Sequence, residues 1–195
     1  MSHHLSLVDW RTRVADLYAS VRTAPTPADG HRSWVHGRTE LFGSHPQSPT
    51  TRTSATVRYA PYDPRMRFHL PLLPAEPETR GVPAGDDGTV QMQRVGRVQL
   101  PEPVAGSLDV WWLDQYGGGL FVPLRDGTSG TTSYGGGRYL IDTTKGAWLG
   151  GADGTLVIDL NFAYHPSCRY DDRWQCPLAP PGNTIAAPVE VGEQL

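Results

Sequence analysis

Apolar side chains recur at helical spacing near the start of the chain and predict one amphipathic helix over residues 6–22. Its apolar positions are Leu7, Trp10, Val14, Leu17, Tyr18 and Val21. Ser6 and Asp9 form a capping box of the S-x-x-D kind, and Pro25 and Pro27 end the helix. In a chain of 195 residues such a stripe favours a helix packed on the chain's own sheet over a partner-binding helix.

From Ser54 onward, short runs rich in Val and aromatic residues replace the helical pattern and predict β-strands. The seven runs are SATVRY, MRFHL, VQMQRVGRVQL, LDVWWL, LFVPL, RYLID and TLVIDL. Turn residues stand at Asp87-Gly88, Tyr116 to Gly119, Asp126-Gly127 and Asp153-Gly154. Residues 71–88 are rich in Pro, Glu and Asp and predict an exposed loop.

These patterns predict one domain over residues 1–195, with a mainly β fold. Residues 1–53 form the helix and an irregular arm, which has a short helix or turn followed by an extended segment over residues 36–49. Residues 54–195 form a β-rich body, an antiparallel barrel- or sandwich-like domain.

Composition agrees with a turn-rich fold and argues against two kinds of partner. The chain has 22 Gly and 18 Pro, both above ordinary usage. A net charge of −3 argues against nucleic-acid binding, which depends on excess cation at phosphates. The apolar runs are far shorter than the roughly 20 residues that cross a bilayer, and no targeting signal is visible. We therefore expect a cytoplasmic protein with neither a nucleic-acid nor a membrane partner, and the oligomeric state stays open.

The end of the last predicted strand offers candidate chemistry. Side chains alternate along a strand, so Asp159 and Asn161 share one face where a barrel or sandwich opens to solvent. Arg138 is a fork of donors for an anion or for a buried carboxylate. The structural alternative is that Asp159 pairs with Arg138, or accepts backbone N–H bonds and anchors the following loop.

Gly135-Gly136-Gly137 permits positive φ angles and close approach of the backbone. Beside Tyr134 and Arg138, it could bind an anion through its N–H groups. No nucleotide-binding motif surrounds the glycines, which makes a tight crossing of two strands the favoured alternative.

His165, Cys168 and Cys176 have H-x-x-C-x7-C spacing. Zinc requires a fourth ligand, so we predict no metal site, and no other cofactor is indicated. A disulfide across the loop from Cys168 to Cys176 is chemically simple, but two reduced, half-buried thiols are favoured in the cytoplasm.

Two motifs resemble a bacterial and archaeal family known as domain of unknown function 1684. Residues 126–140 resemble its D-x-T-x-G…T-Y-G-G-G-R-Y-L motif, and residues 159–183 resemble L-D-F-N-x-A-Y-N-P-P-C-x-Y…C-P-L-P-P-x-x-N. Gly192-Glu193 resembles its closing G-E, and upstream segments resemble the shorter, actinobacterial-type branch. The resemblance implies a β-rich fold and no known activity. His165 stands where the family has Asn, which lowers the case for a metal site.

Two classes of function follow. The first is a cofactor-independent enzyme, hydrolytic or lyase-type, in which Tyr134 and Asp159 handle protons. Arg138 and Asn161, with Asp126 and Tyr164, would hold a small polar or anionic molecule. The alternative is a non-catalytic domain that binds a ligand, binds a partner or has a structural role. We predict that Tyr134, Arg138, Asp159 and Asn161 converge in one pocket.

Overall fold

The computed structural model describes residues 2–50, 57–83 and 88–195. Two α-helices come first, α1 at His3–Arg22 and α2 at Pro27–Ser44. The strands are β1 Arg58–Tyr59, β2 Arg67–Pro71, β3 Thr79–Pro83, β4 Thr89–Leu100, β5 Gly106–Asp114, β6 Gly119–Leu124, β7 Arg138–Asp142, β8 Thr155–Asp159 and β9 Glu193–Gln194. The fold is therefore mixed α/β, which corrects the prediction of a mainly β fold with one helix.

The first helix begins earlier than predicted. Its N-cap is Ser2, whose hydroxyl accepts a backbone N–H at 3.4 Å. The predicted capping residues lie inside the helix, where the hydroxyl of Ser6 donates to a carbonyl and Asp9 accepts from Arg13 at 2.9 Å. The predicted end at Arg22 is confirmed.

The second helix replaces much of the predicted irregular arm. Thr26 is its N-cap and accepts an N–H at 3.1 Å, and Pro27 occupies the first turn, where the missing N–H of proline costs nothing. The prolines therefore separate two helices. The buried side of α2 includes His31 and Trp34, and the half-buried Arg38 lies one turn further on. Polar residues at these positions interrupt the apolar stripe by which an amphipathic helix is predicted from sequence.

One antiparallel sheet contains five strands in the order β3-β4-β5-β6-β7. Two small antiparallel sheets pair β2 with β8 and β1 with β9. The antiparallel pairing was predicted, but the sheets of the described residues do not close into a barrel. Residues 79–83 pair with β4 although they lie in the predicted loop.

Each of the seven predicted runs overlaps a described strand. The first run, SATVRY, ends with β1, and its residues 54–56 lie outside the described residues. Asp87 of the predicted Asp87-Gly88 turn also lies outside them.

Both faces of the five-stranded sheet are covered by buried side chains. Val110 and Val122 point to one face, where they join a largely aliphatic cluster with residues of β8. Their neighbours Trp111 and Phe121 point to the other face and join an aromatic cluster that includes Trp34 and other side chains of α1 and α2. The helices are therefore part of the core. Within the described ranges, no helix is both long enough and apolar enough to span a bilayer.

Candidate ligand-binding cleft

Arg138 is buried and forms an ion pair with Asp126, whereas from the sequence we considered Asp159 as its partner. Its Nη2 donates to Asp126 at 2.9 Å and to the Val189 carbonyl at 2.7 Å. Its Nη1 donates to the carbonyls of Val191 at 2.6 Å and Glu193 at 3.1 Å. These bonds attach the C-terminal segment to the first residue of β7. The guanidinium has no exposed surface for a ligand.

Asp126 is equally committed to the protein itself. One carboxylate oxygen accepts the N–H and hydroxyl of Thr128 at 2.8 and 2.7 Å and the Val189 N–H at 3.0 Å. Burial by itself would raise the pKa of Asp126, but the Arg138 charge and the Thr128 bonds outweigh burial and lower it. The carboxylate is therefore charged and satisfied.

Asp159 and Asn161 lie side by side, as strand alternation predicts, although Asn161 is in the 3₁₀ turn that follows β8. Asp159 accepts from Arg67 at 2.9 Å and from the Asn161 amide at 2.8 Å. Asn161 exchanges two bonds with the Asp63 backbone, at 2.8 and 2.9 Å. Both side chains are buried and join β8 to the loop before β2.

The four side chains that we expected in one pocket therefore occupy different places. Arg138 pairs with Asp126, whereas Asp159 pairs with Arg67. No hydrogen bond between described residues joins the two groups. The loop-anchoring alternative describes the position of Asp159 better than a shared site with Arg138 does. The physical reason is that each buried charge has a closer partner from another strand or loop.

Tyr164 belongs to a third buried group, which sequence reasoning missed. Its ring lies 4.7 Å from the Arg38 guanidinium carbon, and Arg38 forms an ion pair with Glu193. Glu193 also accepts the His165 N–H at 2.6 Å and the Tyr170 hydroxyl at 3.0 Å. The sequence signals were Tyr164 and Tyr170 in the second motif and the closing Gly192-Glu193 pair.

His165 faces this group rather than forming a site with the cysteines. Its Nδ1 lies 3.5 Å from a Glu193 oxygen, and its Nε2 accepts the Tyr134 N–H at 3.2 Å. Burial lowers the pKa of His165 to about 4, despite the opposing charge of Glu193. The ring is neutral and positions the Tyr134 backbone. Within the described ranges, no three His, Cys, Asp or Glu side chains are grouped so as to hold a metal ion.

A cleft of about 670 Å³ lies beside the edge of the five-stranded sheet. Strands β3 and β4 contribute Arg80, Val82 and Met92 to its lining, and Arg80 and Met92 are directly paired. The remaining lining includes Tyr134, Cys168 and residues 174–178. Tyr134 is the one predicted site residue in this lining.

The glycine run positions Tyr134. A side chain at Gly136 would place its Cβ 2.6 Å from the Tyr134 ring and 3.1 Å from Leu178. Gly137 has a φ of 91°, and its N–H donates to the Tyr134 carbonyl at 2.9 Å. The run is a tight turn against a neighbouring strand, and this N–H is already used rather than available to an anion.

The cleft presents neutral hydrogen-bonding groups. Cys168 and Cys176 are free, half-buried thiols, and Cys176 and the Tyr134 hydroxyl are the neighbours that influence the Cys168 thiol. Burial, with the neighbouring Cys176, raises the pKa of Cys168 to about 11. Burial and the Cys168 sulfur likewise raise the pKa of Tyr134. At neutral pH these two groups are protonated.

Arg80 adds a cation to the cleft. It forms an ion pair with Glu78, a carboxylate that Arg94 also contacts at 3.0 Å. The Arg80 Nε is buried and lies against a Glu78 oxygen in this ion pair. One acid is therefore shared by two guanidinium groups at this end of the cleft.

Comparison with known proteins places the chain among proteins without an assigned activity. The sequence profile of the family described as protein of unknown function, DUF1684, matches residues 53–194. A solution NMR structure of an uncharacterized protein from Haloarcula marismortui is 29% identical in sequence, with a TM-score of 0.60. The match covers 84% of this chain and 91% of that one. No curated protein matches the chain.

Proposed function

Because the chain belongs to the DUF1684 family of proteins of unknown function, we propose its function from its cleft: a non-catalytic module that binds a small carboxylic acid with an apolar body. The observation that supports this most is the lining of the cleft, which combines apolar surface with a cation and neutral donors.

The apolar part of the ligand would lie against the sheet and the opposite wall. Val82 and Met92 provide the sheet side, and Trp174 and Leu178 provide the wall. The Trp174 indole N–H donates to the Pro49 carbonyl at 3.0 Å, which fixes the ring before any ligand arrives. A wall that is already ordered lowers the entropic cost of binding.

The polar part would be an acceptor. Arg80 lines the cleft with a partly exposed guanidinium side chain, and Tyr134 has a protonated hydroxyl. A carboxylate would accept from both kinds of group, and its charge would complement a guanidinium that shares Glu78 with Arg94. The proposed ligand is therefore small and anionic, as expected from the sequence, and has an apolar body in addition.

Turnover is less well supported than binding. A general base should have a pKa near the working pH, but the pKa values of Tyr134 and Cys168 are both raised. Asp159, the other predicted catalytic residue, is buried and bonded to Arg67 and Asn161 outside this lining. We therefore place Tyr134 in the ligand-binding set and propose that Asp126, Arg138, Asp159 and Asn161 build the scaffold.

Calorimetric titration can test this function. The probes are 4-phenylbutyrate and decanoate, each with its primary amide, and acetate as the anion without an apolar body. We expect saturable binding of the two acids, weaker binding of the amides and none of acetate. Arg80→Gln should weaken acid binding about tenfold and leave amide binding unchanged, because the lost contact is ionic.

Tyr134→Phe tests the neutral donor and should weaken both acid and amide. Arg13→Gln is the matched control, since Arg13 is an exposed arginine on α1 with an ion pair of its own. An equal loss of acid affinity in Arg80→Gln and Arg13→Gln would contradict the cleft as the binding site. Saturable binding of acetate alone would contradict the role of the apolar wall.

A further inference from the structure

Cys168 and Cys176 line the same cleft, and Cys176 is near enough to Cys168 to contribute to the raised pKa of its thiol. They are the two cysteines of the chain, and both are free. Each is partly accessible from the cleft. Two neighbouring thiols that a small molecule can reach have a chemistry that an isolated buried cysteine lacks.

The fold holds both ends of the loop between them. Near Cys168, the Tyr170 hydroxyl donates to buried Glu193 at 3.0 Å. Next to Cys176, the Pro177 carbonyl accepts the Tyr139 hydroxyl at 2.6 Å. Turns at residues 167–170 and 171–174 bring the chain back on itself between these anchors. The proximity of the thiols is therefore a property of the folded protein.

We propose that Cys168 and Cys176 form a reversible modification site, at which a low-molecular-weight disulfide oxidises them to an intramolecular disulfide. This inference depends on the thiols and not on the proposed carboxylic-acid ligand. The oxidant would enter through the cleft, where both sulfurs are found.

The reaction balances without a further reagent. One cysteine thiolate attacks a sulfur of the small disulfide, forms a mixed disulfide and releases a small thiolate, which takes up a proton. The second cysteine loses its proton and attacks the protein sulfur of that mixed disulfide, which expels the second small thiol. The two cysteines lose two electrons, and the oxidant gains them as two thiols. A surplus of small thiol reverses both steps.

The site differs from a catalytic thiol in one respect. Burial raises the pKa of Cys168, so little of this thiol is ionised at neutral pH. Oxidation should therefore be slow and selective, depending on the second thiol to complete it. The product would also replace the Cys168 thiol beside Tyr134 by a disulfide sulfur, which changes the lining of the cleft.

The test equilibrates the full chain in buffers of reduced and oxidised glutathione, with and without concentrated urea. Acid quenching, N-ethylmaleimide labelling and intact mass then give the ratio of internal disulfide to dithiol. We expect the internal disulfide to form in the native chain and dithiothreitol to reverse it. The effective thiol concentration should be at least about tenfold higher in the native chain than in urea, because the fold brings the thiols together.

Cys168→Ser and Cys176→Ser are matched controls, since each keeps one thiol and should stop at the mixed disulfide with glutathione. An effective concentration in the native chain no higher than in urea would overturn the proposal. A native chain that accumulates the mixed disulfide, or that mainly forms dimers on non-reducing gels, would also overturn it. Because no carboxylic acid is present, failure here leaves the proposed function untouched.

Discussion

Arg138 and Asp159 are buried side chains that join distant parts of this chain, and each has a partner of opposite charge. Arg138 joins β7 to Asp126 and to three carbonyls of residues 189–193. Asp159 joins β8 to Arg67. Charges in such surroundings are tolerated because a partner replaces water, which is why removing one member costs more than the pair contributes.

Arg138→Leu should lower the free energy of unfolding by about 3–5 kcal/mol, because it leaves the Asp126 carboxylate buried without its guanidinium. Urea denaturation of the unliganded protein measures this loss. Arg13→Leu removes an exposed arginine of α1 and should cost no more than about 0.5 kcal/mol. An Arg138→Leu protein as stable as the unchanged protein would show that the Asp126–Arg138 pair does not stabilise the fold.

His165 should make stability depend on pH. Its pKa is about 4 in the folded protein, below the usual value of 6.5, so the unfolded chain binds the proton first as the pH falls. Stability is therefore lost as the pH drops through 6.5 toward 4. From pH 7.5 to pH 5 this one group should cost about 2 kcal/mol.

His165→Asn should remove that part of the pH dependence, measured as the difference in unfolding free energy between the two pH values. Burial also lowers the pKa of His31, so a smaller dependence of the same sign should remain. His36→Asn changes an exposed histidine and is the control. An unchanged pH dependence in His165→Asn would show that protonation of this ring is not coupled to folding.

At the scale of elements, α2 and β9 hold each other in place. Arg38 on α2 lies 4.5 Å from the Phe42 ring and pairs with Glu193 of β9. Both side chains are largely removed from solvent. The contact explains how a helix with a weak apolar stripe is fixed to the sheet body.

The Arg38–Glu193 pair can be tested with a double-mutant cycle. Glu193→Gln should cost about 3–5 kcal/mol, because Arg38 keeps its buried charge without a partner. Arg38→Met combined with Glu193→Gln should cost clearly less than the sum of the two single changes. Urea denaturation of the four proteins gives the coupling energy. Additive losses would mean that the two residues act independently.

At the scale of the whole molecule, the helices complete the core of the sheet. Tyr18 of α1 and Trp34 of α2 pack in one cluster with Trp111 and Phe121 of the sheet. Without the helices those sheet side chains would face water. Buried aromatic area of this kind contributes strongly to folding.

A fragment of residues 51–195 should therefore fail to unfold cooperatively in urea and should bind a hydrophobic dye such as 1-anilinonaphthalene-8-sulfonate. The full chain is the matched control and should give one cooperative transition with little dye bound. If the fragment has the same transition as the full chain, residues 51–195 fold by themselves and the helices are not needed for the core.

Sequence periodicity was enough for the elements whose burial follows a simple repeat. The seven strand runs carry apolar side chains on the faces they bury, so the sequence predicted the strands in all of them, as it did the end of α1. The helix α2 was predicted only as a short helix or turn within residues 36–49, because His31 and Arg38 stand on its inner side. The edge strand β3 was missed because its exposed positions and flanking prolines match a loop.

The sequence by itself determined the antiparallel strand pattern and the family. It also indicated that Arg138 and Asp159 need polar or charged partners. Only the tertiary structure decided which partners these residues take, because Asp126, Arg67 and Glu193 come from other parts of the chain. It also decided that Tyr134, alone of the predicted catalytic and ligand-binding residues, lines the large cleft. A buried charge pairs with the opposite charge that the fold brings within a few ångströms, and the spacing of residues along the sequence does not predict that distance.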